Sequence, residues 1–510
     1  MNRTTVLILQ CAFAATAYAE HEHASHPAPE VLGAVIFPTT CAPAVQPRFE
    51  RALALLHSFT YTEAEKGFRD VIASDPGCAI AHWGVAMSLY HPLWETPPAA
   101  DLARGSTELE QAHRLGTGSP RERAFIDAAT VYYTDYEHVT PAARAKAYEQ
   151  AMADVAARFP DDPEAQIFHA LALVATAPPT DRTHANQKRA ADILEPLYRR
   201  YPQHPGLAHY LIHAYDSAEL ASRGLDAARA YAKIAPSAPH ALHMPSHVFT
   251  RLGDWDDSVA SNLAARKAAH AAGGVGEELH AMDYLTYAYL QLGRDADAKR
   301  VVDDLAAMHG LDAGMFKIGY AANAMPVRYA IERRQWTEAS ALKPLPDSEP
   351  HVAAIVYWAR AVGASRSGHA NDADADIARI DACIAQLDAT GNVYWATQTR
   401  ALADSARAWQ LFANGRTDEA IAHLRSAADT EDAAEKLPVT PGPIVPAREQ
   451  LGDLLLDAGR PADALREFKT ALAGAPGRRG ATIGAAQAAE RSGDAEEAKR
   501  FREPAVSASR

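Results

Sequence analysis

The chain has 510 residues, more than one hydrophobic core commonly organises, so it is either several domains or an array of repeats. Its wealth of Ala, Leu, Arg, Glu and Asp, with few runs of β-branched residues, favours helix throughout, and the expected class is all-α. A formal net charge of -14 argues against a nucleic-acid partner, since phosphate binding relies on clustered Lys and Arg.

At the N-terminus, Arg3, the mostly apolar run from Thr4 to Thr16 and the small-x-small step Ala17-Tyr18-Ala19 have the form of a secretory signal over residues 1–19. Cleavage would leave a periplasmic or secreted protein with no membrane span. Residues 20–40 carry His21, His23 and His26 without apolar periodicity and are expected to form a disordered leader. Export places the cysteines in an oxidising compartment, where Cys41 and Cys78 are candidates for a bridge and Cys383 stays single.

A helical array is expected over 41–436. Ala64, Phe68 and Asp75-Pro76 punctuate a first hairpin, with His57 as a solvated polar residue on its inner face and His82 and Trp83 as packing residues. The His91-Pro92 and Pro97-Pro98 steps break the rhythm between 91 and 120, where His91 and Trp94 can cap a groove. Gly253, Gly293, Gln335-Trp336, Gly368, Gly415 and Gly493 mark further turns. The run Leu437 to Pro443 is too rich in Pro to be helical, so 437–447 is expected to cross one face of the array before C-terminal hairpins over 448–510.

Within those last hairpins, Leu451-Gly452, Leu455, Gly459, Ala464, Phe468, Ala471 and Pro476 fall at the spacings L-G-x2-Y, A-x3-F, A, P. The segment resembles the tetratricopeptide repeat family, with Arg448 departing from the aromatic expected at position 4. The resemblance implies an α-solenoid, a right-handed superhelix of helical hairpins, whose concave groove takes a small molecule, a peptide or a protein partner. Positions 2, 5 and 9 of each hairpin would line that groove.

In this register the histidines form a ladder. His209 and His213 recur 34 residues later as His243 and His247, the period of the repeat, each with a Pro four residues before its first His. Counted from the turn at Gly253, they hold positions 5 and 9 of consecutive hairpins. His240 and His280 hold position 2 of theirs, and Asp283 and Tyr287 continue positions 5 and 9. Residues four apart share one helix face, so each pair can chelate an ion, and two neighbouring pairs bring four imidazoles together. Imidazole clusters suit transition metals such as Cu, Zn or Fe. His209, His213, His243 and His247 are therefore the candidate ligands. His240, His280, Asp283, Tyr287 and Arg328 are candidates for contacting a ligand or supporting the metal residues, while Arg448 and Glu449 can bind a carboxylate or form ordinary ion pairs. Pro245, inside the second pair, is expected to bend its helix.

The stretch His240-Ala-Leu-His-Met-Pro-Ser-His247, with Cys78 to Gly84 and Lys436 to Pro443, resembles a group of exported bacterial tetratricopeptide proteins. This implies the fold, the export and a shared site, but no reaction. Neither a G-x-S-x-G elbow, an H-E-x-x-H pair, a Walker loop nor a G-x-G-x-x-G turn occurs in a suitable context, so catalytic residues stay unknown. Three readings remain open: metal or ligand binding in the groove, a metal-dependent oxidoreductase-like enzyme using the same cluster, and an interaction scaffold whose histidines are structural.

Overall fold

The computed structural model describes residues 30–94, 96–116 and 118–502. The signal pattern and His21, His23 and His26 lie outside the described residues. From Val31 onward the chain is an α-solenoid: helices joined by short turns, with no strand among the described residues and no helix long and apolar enough to cross a membrane.

Local sequence accounts for the hairpins. Helix Tyr61–Ser74 buries Tyr61, Ala64, Gly67, Phe68 and Val71, an i, i+3, i+4 stripe on one face, and Pro461–Gly474 does the same with Ala464, Leu465, Phe468 and Ala471. Helices between two neighbours are buried all round, as in Pro205–Ala214, where every residue is buried. Pro at the first helical position starts Pro163–Ala175, Pro205–Ala214 and Pro239–His243, where its missing N–H costs no hydrogen bond. Gly253 and Gly459 end theirs at φ 76° and 73°, the left-handed turn foreseen at both positions. The buried residues fall into three successive clusters, spanning Leu32 to Phe249, Trp255 to Tyr329 and Tyr320 to Ala498. A core that advances along the chain in this way is the mark of an array in which each hairpin packs on its neighbours.

Three expectations are corrected. Residues 31–40 are not a free leader: Phe37 is fully buried against Phe49, Trp83 and Phe125, and Ala34 N–H donates to the Gln203 carbonyl at 2.8 Å. The apolar side chains Leu32, Val35 and Phe37 are too few for a periodicity signal yet enough to anchor a strap. Second, the break at 91–120 contains helix Ala99–Leu115, because Pro98 stands just outside its first turn, where it does no harm. Third, the Pro-rich crossing ends at Pro446, and helix Ala447–Asp457 begins one residue inside the expected loop.

Cys41 and Cys78 are bridged across 37 residues, tying the start of the first hairpin to the head of helix Ala79–Leu89, while Cys383 is free and buried. Replacing Cys41 by Ser is expected to lower the unfolding free energy by about 3–4 kcal/mol in chemical denaturation, from the loop-closure entropy restored to the unfolded chain. An unchanged midpoint would show the bridge to be idle.

Gly452 permits the close helix approach that its spacing suggests: a Cβ there would lie 2.7 Å from the Phe468 ring. Gly452→Ala is expected to destabilise the C-terminal hairpins by about 1–3 kcal/mol through overpacking, read as a lower thermal midpoint, while Gly459→Asn, at an exposed turn, costs less.

Candidate metal centre

Six histidines converge on one hollow. His209 and His213 come from Pro205–Ala214, His240 and His243 from Pro239–His243, His247 from Pro245–Leu252 and His280 from Val275–Gln291. The helix expected to bend at Pro245 is interrupted just before it, at Met244, which keeps helical dihedrals between the two short helices. None of the six is more than 5% exposed. They form two triads, His209 with His213 and His240, and His243 with His247 and His280, in each of which three ring nitrogens lie within 4.8 Å of one another. The four imidazoles expected to share a site are thus divided, and His240 and His280 enter the triads themselves.

Hydrogen bonding fixes the tautomers. A carbonyl or carboxylate oxygen only accepts, so the ring nitrogen facing it carries the hydrogen. His209 Nδ1–H donates to the His57 carbonyl at 2.6 Å, His240 Nδ1–H to Glu277 Oε2 at 3.3 Å and His247 Nδ1–H to Asp216 Oδ2 at 3.0 Å. His243 Nδ1–H donates to Asn262 Oδ1 at 2.6 Å, and the Asn262 amide is held in that orientation by its own bond to the Ser258 carbonyl. Each of these four rings therefore presents a bare Nε2 lone pair to the hollow. His243 Nε2 and His247 Nε2 stand 3.0 Å apart with no hydrogen to share. His209 Nε2 meets His213 Nε2 at 3.1 Å, and His240 Nε2 and His213 Nδ1 are buried without a partner. Burial, reinforced by the neighbouring imidazoles, holds His209, His213, His243 and His280 well below the ordinary histidine range. Burial takes His247 down to about 4 against the pull of Asp216. The rings are neutral at physiological pH, the form that binds metal.

Elements far apart in sequence hold these partners. His57 ends helix Gln46–His57, where last-turn carbonyls lack intrahelical partners, so its C=O is available to His209. His57 itself is fully buried rather than solvated: it accepts from Tyr210 O–H at 3.0 Å and donates to Glu164 at 3.0 Å, and Glu164 also accepts from His204 at 2.9 Å. Gly206 makes room for it, since a Cβ there would lie 2.6 Å from His57 Nδ1. Phe59, at φ 51°, sets its ring 4.3 Å from His209, Tyr231 stacks on the same imidazole at 5.1 Å, and Trp94 stands edge-on to His240 at 5.1 Å, so Trp94 caps the first triad. Asp216 is gripped by Arg251 at 2.8 Å and Lys436 at 2.9 Å. Asp216, Asn262, Glu277, Phe59 and Tyr284 escaped sequence reasoning. Only Asp216, three residues after His213, carried a local signal.

Residues 455–506 match the family model for the tetratricopeptide repeat. The C-terminal hairpins are tetratricopeptide repeats. No curated protein matches the chain significantly. Among solved structures, the human IFIT1 dimer with PPP-AAAA is 12% identical at a TM-score of 0.34, over 83% of this chain and 89% of that one. The human IFIT1 dimer with m7Gppp-AAAA is 11% identical at 0.35 over the same shares, and Naa15/Naa10 bound to HypK-THB is 12% identical at 0.24 over 90% and 68%.

Beside the histidines the helical array encloses a cavity of about 560 Å³, walled by Tyr287, Tyr320, Trp358, Tyr394, Trp395 and the Pro-rich loop. The cavity adjoins the hollow without opening onto it. Arg251 and Lys436 line it and hold Asp216 behind them, and the Thr440 carbonyl lies 3.3 Å from Tyr284 Oη, itself 3.4 Å from His247 Nε2. Of the residues expected to meet a ligand, Arg328 donates to Asp283 at 3.1 Å and to the Gly442 and Pro443 carbonyls at 2.8 Å, so both serve to fasten the loop. Tyr287 faces the cavity and takes a hydrogen bond from Arg478 at 3.0 Å. Arg448 forms ion pairs with Asp429, Asp432 and Glu467, and Glu449 with Arg478.

Glu431 in the cavity wall accepts the Ala447 N–H at 2.9 Å, and burial pushes its carboxyl up to about 8. Because the folded value is raised, its contribution to stability is full below about pH 4.5 and is lost as pH rises through 8. Glu431→Gln, neutral at every pH, is expected to gain stability over the native chain between pH 5 and 9, on the order of 2–4 kcal/mol at the upper end. Denaturation curves whose separation does not grow with pH would refute the neutral acid.

Proposed function

We propose that this protein is an exported tetratricopeptide solenoid that holds a transition metal among its buried histidines, with a small molecule or peptide in the adjoining cavity. The observation that carries the reading is the approach of His243 Nε2 to His247 Nε2 at 3.0 Å, two lone pairs whose rings have already committed their hydrogens to Asn262 and Asp216. Two acceptors at that distance repel unless a cation lies between them. A proton is disfavoured, because burial holds both rings below the ordinary histidine range. A metal ion suits the spacing: ligands 2.0–2.1 Å from a tetrahedral centre stand about 3.3 Å apart. An all-imidazole donor set is compatible with Cu, Zn or Fe. Export is supported by the pattern from Arg3 to Ala19 and by the Cys41–Cys78 bridge.

A metal-dependent enzyme, oxidoreductase-like in character, is the second reading. It is favoured by one specific observation, a roomy cavity one layer of side chains from a site whose three imidazoles leave a coordination position open.

Protein purified without a histidine tag, loaded with Cu, Zn or Fe and freed of excess by gel filtration, is expected to retain metal by elemental analysis. His243→Ala, with helicity unchanged by circular dichroism, is expected to retain markedly less. Native protein that emerges with none of these metals removes both readings.

A further inference from the structure

We infer that the hollow holds two metal ions, one in each histidine triad, and that the repeat itself duplicates the site. The inference rests on the metal-binding reading above and deepens it. Both triads are assembled from the same three places in the repeat: positions 5 and 9 of one hairpin and position 2 of the next. His209, His213 and His240 occupy them once, and His243, His247 and His280 occupy them again one hairpin later. In an array whose neighbouring units are related by nearly the same displacement, one set of positions generates one constellation at each step. The series stops at the following step because positions 5 and 9 there are Asp283 and Tyr287, held by Arg328 and Arg478.

The outer partners are duplicated as well. In each triad one imidazole donates to a neutral oxygen, His209 to the His57 carbonyl and His243 to Asn262. One donates to a carboxylate, His240 to Glu277 and His247 to Asp216. The third has no outer partner: His213 Nδ1 is buried and unpaired, and His280 makes no hydrogen bond among the described residues. Partners of this kind orient metal-binding imidazoles and leave the other nitrogen bare.

A single ion shared by all four paired histidines is not what the spacing serves. Within the pairs the facing nitrogens are 3.1 and 3.0 Å apart, and ring centroids within a triad approach to 4.2 Å for His243 and His280 and to 5.0 Å for His209 and His240. Between triads the closest rings, His213 with His247 and His240 with His243, stand 5.9 and 6.0 Å apart, close to the 6.2 Å of His247 and His280 within the second triad, so it is the ring nitrogens, gathered within 4.8 Å as two separate triads, that divide the sites. A third cluster, His57, Glu164 and His204, also converges, but both His57 ring nitrogens and both Glu164 oxygens are already hydrogen-bonded, to one another, to His204 or to Tyr210, which leaves no common point for an ion.

The test is stoichiometry. Untagged native protein loaded with Zn(II) and freed of excess is expected to carry two ions per chain. His240→Ala and His280→Ala are each expected to carry one, and the double variant none. In a titration with Cu(II), the second equivalent is expected to broaden the electron paramagnetic resonance signal of the first, as two neighbouring spins do. One ion per chain in the native protein, abolished by either substitution, overturns the two-ion centre and leaves the metal-binding reading standing. No ion at all overturns both. The native stoichiometry decides the matter even where a variant fails to fold.

Discussion

The structure around the hollow is organised by one constraint: four imidazoles turn their N–H groups outward, so that their lone pairs face inward. Four unrelated acceptors enforce it, namely a helix-end carbonyl at His57, an amide at Asn262 pinned by Ser258, and carboxylates at Asp216 and Glu277. Each acceptor is itself immobilised, Asp216 by Arg251 and Lys436 and Glu277 by Lys317. A core built only for stability would satisfy its polar atoms, since each buried group left without a partner costs about 1–3 kcal/mol. Here His213 Nδ1 and His240 Nε2 are left without one, beside the bare nitrogens of His243 and His247 that face each other at 3.0 Å. Local conflict of this sort concentrates where a protein has a ligand to hold.

Much of this was legible in the sequence because the repeat converts spacing into geometry. The 34-residue recurrence of the two His pairs, the Pro before each, and the placing of His240 and His280 at position 2 all follow from a register anchored at Gly253. The grouping was not legible. Whether position 2 completes the pair on its own hairpin or the pair on the preceding one depends on how far each hairpin is rotated from the last. Here His240 turns to His209, at 5.0 Å, rather than joining the triad of its own helix.

The supporting residues were hidden for a different reason. His57 reaches His209 across 152 residues and Glu164 across 107, distances at which no local pattern survives. Read alone on an inner face, His57 looked solvated; the buried carboxylate that satisfies it lies on another hairpin. Arg328 misled in the opposite sense. An arginine facing a groove suggests a carboxylate ligand, yet its fork is occupied by Asp283 and two carbonyls of the Pro-rich loop, which lacks a regular hydrogen-bonding ladder of its own.

That loop also links the two halves of the candidate site. Lys436 at its start pairs with Asp216, which orients His247; the Thr440 carbonyl and His247 Nε2 are both within reach of the single Tyr284 hydroxyl hydrogen. Lys436 and Thr440 also line the cavity. Burial has already lowered the Lys436 ammonium to about 8, so its charge is sensitive to what lies beside it. An anionic group in the cavity strengthens that charge and draws it from Asp216, and an apolar one weakens it. Either change reaches His247 through one carboxylate, which makes the electrostatics of the cavity and those of the second triad a single problem.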